Sequence, residues 1–460
     1  MIQNPKGTHD IYGKEMTIYQ AVRELYINIC NSYGFKEIIL PIFESSDLFQ
    51  RGVGKSSDVV RKEMYTFLDK GGRSITLRPE FTAGIIRSFV QNKMYANNEL
   101  PVKLFYHGPT FRYERPQSGR YRQFHQLGVE CVGLNSYLID SEIIALGYDF
   151  LVNLGLKDNI VLKINTLGDE ETRNNYRNAL KDYFKKYIDN MCDDCKSRYE
   201  LNPLRILDCK IEDDKEIIKF APKISDYMSI NSKERFSKLL SYLNELEIPY
   251  EIDESLVRGL DYYSETVFEF HYKGKDNIDI GAIGAGGHYS SLVKELDGPD
   301  MHGVGFSFGA ERLISVINDN AEALGLDFDE KLPVYIMPLG DDKVREEALS
   351  IAIALRQSGI PSQICYEEVK INNMFKRAER KNASIAIILG EDEIQKEEVQ
   401  LKNLNTKEQI TVSYESLVDK LFELLNGSEH EHDKKDDLED NLKENHGNDN
   451  ECCCCGNHKK

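Results

Sequence analysis

Residues 256–270 read LVRGLDYYSETVFEF, so Arg258 is a single positive charge in an apolar and aromatic run. A guanidinium in such surroundings is costly to bury unless something anionic meets it. Any fold this chain adopts must therefore bring an anion to position 258. Arginine suits planar, bidentate contact with carboxylate or phosphate oxygens. Locally the anion is Asp261, pairing with Arg258 at a strand end; the alternative is a bound ligand.

At 460 residues the chain has room for two or three domains and a large core. No apolar run approaches the ~20 residues of a membrane span, and the N-terminus MIQNPKGTHD has no apolar signal core, so a cytoplasmic protein is expected. The net charge of −19 disfavours non-specific attraction to nucleic acid, and any such partner has to be met by local basic patches. Cys30, Cys131, Cys192, Cys195, Cys209 and Cys365 lie in hydrophobic or helical contexts and are expected to be reduced.

A helical stripe from Lys14 through Tyr19, Val22, Tyr26 and Ile29 ends at Gly34. EIILPIFE then reads as a strand, at an edge or bulged because of Pro41. In 74–90 a strand turns into a helix, with Glu80, Phe81 and Thr82 at the junction; an acid there can satisfy helix N–H groups. In 103–130 two hydrophobic strands flank a loop holding Arg115, Gln117, Ser118, Gly119, Arg120 and Arg122. Such a basic strand–loop–strand suits phosphate contact, against the plainer reading of a solvated cationic hairpin. Gln126 and Glu130 share one face of its second strand.

A helix over 139–154 and a strand over 160–166 follow. Residues 168–246 are helical and charged, and include Cys192-x-x-Cys195 and Cys209. Zinc is conceivable there, but the sequence offers no evident fourth ligand and no second CxxC, so no metal is expected. Two glycine-rich stretches, GAIGAGGHYSSLV and GVGFSFGAERLI, come next, the second entering a helix whose first turn carries Glu311 and Arg312. Residues 332–426 alternate strand and helix, implying a small βαβ domain with a parallel core and a basic helix face at 376–381. The tail 427–460 carries ten acids against five bases and is expected to be disordered; Cys452, Cys453, Cys454 and Cys455 there suit a soft metal or, more plainly, nothing.

RGLDYY at 258–263, FRYE followed by RYRQFHQ across 111–126, and GFSFGAERLI at 305–314 together resemble the histidyl-tRNA synthetase family, a bacterial type of class II aminoacyl-tRNA synthetase. The resemblance covers residues 1–426 and includes the NPLRILDCK phrase. It implies an α+β fold: a class II antiparallel sheet with helices over 1–167 and 247–320, a helical insertion over 168–246, and a C-terminal α/β anticodon-binding domain over 332–426. It implies a homodimer that joins histidine to tRNA(His) by way of histidyl-adenylate, using ATP and Mg²⁺. Arg112 and Arg258 would be catalytic. Histidine would be held by Glu80, Phe81, Thr82, Gln126, Glu130, Tyr262, Tyr263 and Tyr289. ATP would be held by Arg112, Glu114, Arg120 and Arg312, and the tRNA acceptor end by Arg115 and Gln117. The chain departs from the family pattern at Phe81, where glycine is usual, and at His288, Ser290 and Ser291, which replace Arg, Asp and Gly, departures that leave a paralogue with altered activity as a further reading. A non-catalytic, histidine-binding regulatory subunit of ATP phosphoribosyltransferase shares this fold, but it usually lacks a C-terminal domain and the arginines found here at 112 and 312.

Overall fold

A computed structural model describes residues 1–54, 57–97, 99–114, 120–274, 279–321 and 331–427. Arg115, Gln117 and the cysteine-bearing tail lie outside the described residues. The chain divides into two compact units at residue 327.

The first unit is built on an eight-stranded sheet in the order Lys36–Glu37, Val102–Phe111, Gln123–Val132, Gly303–Gly309, Asp279–Tyr289, Tyr263–Lys273, Ile160–Thr166, Tyr250–Ile252. The six inner strands pair antiparallel, while the two short edge strands pair parallel. Helices Lys14–Ser32, Tyr137–Asn153 and Ala310–Asn320 pack on one another and on the two central strands. Aromatic edges close that layer: Tyr26 meets Phe105 and Phe150, and Phe308 meets Phe150 and Phe270. The other face of the sheet is left to form a cleft.

The expected EIILPIFE strand is broken. Lys36–Glu37 joins the large sheet, and Phe43–Ser45 joins a separate three-stranded sheet with Ser74–Leu77 and Tyr65–Leu68. Pro41 has no N–H to give a ladder. Instead the Leu40 and Pro41 carbonyls accept hydrogen bonds from the Arg78 guanidinium at 2.9 and 3.2 Å.

Between the Ile160–Thr166 and Tyr250–Ile252 strands the chain is helical: Glu170–Phe184, Asp193–Leu201, Glu212–Ile218 and Ile230–Glu245. The first three surround a small core of their own, Tyr176, Leu180, Phe184, Met191, Cys195, Leu204, Ile206, Cys209 and Ile224. The last packs on Tyr137–Asn153. Three of the four carry a side-chain cap at their start, from Asp169, Cys192 and Ser229.

In the second unit a five-stranded sheet runs Ser362–Ile364, Leu332–Leu339, Ala383–Gly390, Glu398–Asn403, Gln409–Ser413. Its first three strands are parallel, as the alternating pattern implied. The last two are antiparallel additions, so the sheet is mixed. EVQLKN, polar at alternate positions, is a half-exposed strand that the apolar signal alone does not reveal.

Candidate active site

The open face of the large sheet holds a cleft of about 320 Å³. Its walls include Glu80, Phe81, Thr82, Arg112, Glu114, Arg120, Gln126, Glu130, Arg258, Tyr262, Tyr263 and Arg312. Residues scattered over more than 230 positions of sequence thus meet in one concavity. Tyr289 stands behind them, fully buried, with its hydroxyl on Glu130.

One group of walls is cationic. Arg112 closes the Val102–Phe111 strand, its Nε donating to the Pro79 carbonyl at 2.9 Å and its guanidinium lying over the Phe124 ring. Arg312, in the first turn of Ala310–Asn320, donates to the Ala282 carbonyl. Burial and the neighbouring Arg120 make its charge harder to keep. Glu114 and Arg120 meet at 3.4 Å. Arg258 pairs with Glu269, not with Asp261, and lies over the Tyr263 ring. Asp261 instead accepts from the Asn202 amide at 3.1 Å, because residues 259–261 turn away toward the helical segment. Glu269 is shared with His271, at 2.9 Å; burial works to raise its carboxyl, but the His271 hydrogen bond and the Arg258 charge outweigh it and hold the carboxyl below the usual range. Among the described residues, Arg258 Nε is buried without a protein acceptor.

The remaining walls are hydrogen-bonded. Glu80 sits at the start of Thr82–Gln91 and accepts from the Thr82 and Ala83 amides at 2.6 and 3.0 Å. It serves both as a helix cap and as a cleft wall, and burial raises its pKa. Glu130 is 2 % exposed and accepts from Thr82 Oγ1 at 2.6 Å and from the Tyr289 hydroxyl at 2.9 Å. Burial pushes its carboxyl up to about 8. Gln126 donates to Ser307 at 3.0 Å, while its Oε1 is buried with no acceptor contact satisfied. Tyr262 packs between Tyr263 and Tyr289, with ring centroids at 4.6 and 5.8 Å. These walls thus offer an acceptor (Gln126), a protonatable acid (Glu130), and hydroxyls around them.

The departures from the family pattern have local explanations. Phe81 is buried, stacked on Tyr106 at 4.1 Å and capped by Arg78 at 4.0 Å. On the Asp279–Tyr289 strand, His288 alternates with Tyr289 and so turns away from the cleft. It bonds Asp140 at 3.0 Å and His302 at 2.9 Å, and the guanidinium near that carboxylate comes from Arg235, at 2.7 Å from Asp140. Burial beside His288 pulls His302 down to about 4. Ser290 accepts from Ser264 at 3.1 Å, and Ser291 bonds Glu295 at 2.7 Å.

Sequence reasoning passed over Glu269, Ser307 and the role of Glu311. Glu311 accepts from the His125 amide and ring at 2.9 and 2.8 Å, joining the last helix to the hairpin strand. An acid inside the apolar run ETVFEFHY is the signal that could have pointed to Glu269.

An antiparallel sheet backed by helices, with arginines from a hairpin and from a glycine-rich strand-to-helix turn around one cleft, defines a class II aminoacyl-tRNA synthetase. The histidyl-tRNA synthetase family profile matches residues 7–313, and an anticodon-binding domain profile matches 333–424. The chain is 47 % identical over 423 residues to the histidine–tRNA ligase of Geobacillus sp. (strain WCH70), covering 92 % of this chain and 99 % of that one. It is 45 % identical to the histidine–tRNA ligase of Bacillus subtilis (strain 168), covering 90 % and 97 %. The crystal structure of apo histidyl-tRNA synthetase from S. aureus superposes with a TM-score of 0.77 at 36 % identity, covering 92 % of this chain and all of that one. This chain belongs to the histidyl-tRNA synthetase family, and its reaction is the ATP-driven ligation of histidine to tRNA.

Proposed function

We propose that the cleft activates histidine as follows. The histidine carboxylate attacks the α-phosphate of ATP, forming histidyl-adenylate and releasing pyrophosphate; the terminal ribose hydroxyl of tRNA(His) then takes the histidyl group. Arg112 and Arg258 stabilise the charge that builds on the α-phosphate. Arg258 suits this because its partner Glu269 is shared with His271, and its Nε is still without an acceptor. Arg312 and Arg120 bind the outer phosphates, and Glu114 meets the adenine edge. Gln126 Oε1, with Glu80 and Thr82, takes the α-ammonium group. Glu130 and Tyr263 read the imidazole, with Tyr289 bracing Glu130 from behind and Phe81 and Tyr262 shaping the wall.

The observation that carries this reading is the union in one cleft of a guanidinium Nε–H without an acceptor among the described residues, an orphaned buried acceptor and a buried, protonatable carboxyl. An amino acid with an imidazole side chain complements the last two; a phosphate complements the first. The Glu80, Glu130, Glu269 and Glu311 carboxylates are committed to protein donors. Mg²⁺ travelling with ATP would therefore take no ligand from these four and, when bound, would offset phosphate charge.

The first unit, with its helical segment 168–246 as an insertion, carries the chemistry, while 332–426 reads the tRNA anticodon. In that unit Arg356, Arg377, Arg380 and Lys381 line one concave surface, which supports contact with a phosphate backbone. Arg115 and Gln117 would meet the acceptor end. A homodimer is supported by exposed Ile39, Ile42, Phe43, Phe67 and Leu68 on and beside the three-stranded sheet, an apolar surface of the kind that a second copy covers. The site of action is the cytoplasm. ATP–pyrophosphate exchange, run with each of the twenty amino acids, tests the reading: exchange driven by histidine is expected, and exchange driven by another amino acid or by none overturns it.

A further inference from the structure

The cysteines of the helical segment have a fourth companion that their spacing does not reveal. Cys192, Cys195, Cys209 and Asp214 bring three Sγ atoms and a carboxylate oxygen within 4.8 Å of one another. We propose that these four side chains bind one Zn²⁺ ion as a closed, structural site.

The geometry fits the metal. Two thiolates on a tetrahedral zinc, each about 2.3 Å from it, stand roughly 3.8 Å apart; Cys192 Sγ and Cys209 Sγ are 3.8 Å apart. Cys209 Sγ lies 3.2 Å from Asp214 Oδ2. Cys195, Cys209 and Asp214 are buried, and Cys192 is half-buried at the rim. Three soft sulfur donors select zinc over magnesium or calcium, and a carboxylate is an accepted fourth ligand.

The surroundings suit a thiolate cluster. Cys192 is the cap of helix Asp193–Leu201, its sulfur accepting the Cys195 amide at 3.4 Å. The Cys192 amide donates to Asp214 at 3.2 Å, which orients the carboxylate. Zinc would bind the three cysteines as thiolates and Asp214 as a carboxylate, so any thiol protons present leave on loading. The resulting centre is doubly negative, and Arg198 lies close enough to Cys195 to offset part of that charge.

The bracketed segment 192–209 is what such an ion would fasten. It presents Arg198 and Arg205 to Asp58 at 2.8 and 3.1 Å, Arg205 to the Gly259 carbonyl at 2.5 Å, and Asn202 to Asp261 at 3.1 Å. Those last two contacts hold the loop that follows Arg258. The site is thus a clasp for the wall of the cleft, although the metal assignment does not depend on what the cleft binds.

The test uses the full chain, purified with a phosphine reductant. Metal analysis is expected to find one zinc per chain, and cobalt(II) exchanged into the protein is expected to show intense thiolate-to-cobalt charge-transfer absorption. Cys209→Ser is expected to lose the ion or bind it at least ten-fold more weakly. Replacing Cys452, Cys453, Cys454 and Cys455 together by serine is expected to keep it, which separates this site from the tail. Wild-type protein holding no more zinc than Cys209→Ser, bound cobalt without thiolate bands, a Cys192–Cys209 disulfide, or zinc lost only with the tail cysteines would each overturn the proposal. The cobalt spectrum of the tail variant decides the question even where Cys209→Ser fails to fold.

Discussion

Glu130 is a carboxyl that the fold keeps protonated further up the pH scale than an unfolded chain would. Its pKa rises from 4.5 to about 8 on burial, with Thr82 and Tyr289 donating to its two oxygens. Between those values the folded state binds more protons than the unfolded one, so stability falls as pH rises through the window. Glu130→Gln removes the titration. Its melting temperature is expected to exceed that of wild type at pH 8, with the gap closing below pH 4.5; thermal melts across this range check it, and a constant gap would refute the burial argument. The same variant is expected to raise KM for histidine, since an amide cannot ionise against an imidazolium. Arg258 is proposed to act on the other substrate. Arg258→Ala should leave the fold intact and slow histidine-dependent pyrophosphate exchange by roughly 10²–10³, about 3–4 kcal/mol for one donor aimed at developing negative charge. Exchange at the wild-type rate would remove Arg258 from the mechanism.

At the scale of elements, the Gly303–Gly309 strand lies at the centre of the sheet, between Gln123–Val132 and Asp279–Tyr289. Its glycines make room for the recognition groups. A Cβ on Gly305 would stand 2.1 Å from Glu130 Oε2 and 2.3 Å from the Val129 carbonyl oxygen, and the second of these is backbone that cannot swing aside. Gly305→Ala is expected to cost about 1–3 kcal/mol of stability, as overpacked cores do, and to raise KM for histidine more than KM for ATP. Melting and steady-state exchange kinetics measure both; equal KM changes would show that the strand does not act through Glu130. The strand-to-helix pattern of this element is readable in GVGFSFGAERLI, whereas the reason for each glycine is not, because the atoms it makes room for come from strands far away in sequence.

For the whole molecule, the cleft residues all precede residue 313, and the second unit begins after residue 327. A chain ended at 327 is expected to keep pyrophosphate exchange and to charge tRNA worse by on the order of 100-fold, the scale on which losing one of two linked binding sites acts. Parallel assays of the two steps decide it, and an equal loss in both would mean that the second unit supports the cleft. The sequence by itself determined the order of elements, the α+β class and the family, because strand and helix periods, turn glycines and the arginine-bearing segments are local or nearly local signals. It also determined that a buried Arg258 must have an anionic partner. Which anion, Glu269 and not Asp261, was settled by the tertiary structure, since a partner eleven residues away depends on how the segment before the Tyr263–Lys273 strand folds back along it. The same holds for His288 facing Asp140 and Arg235 behind the sheet, and for Asp214 completing the cysteine cluster. Each joins charges that local pattern cannot connect, because the cost of burial is met by whichever group the fold brings within a few ångströms.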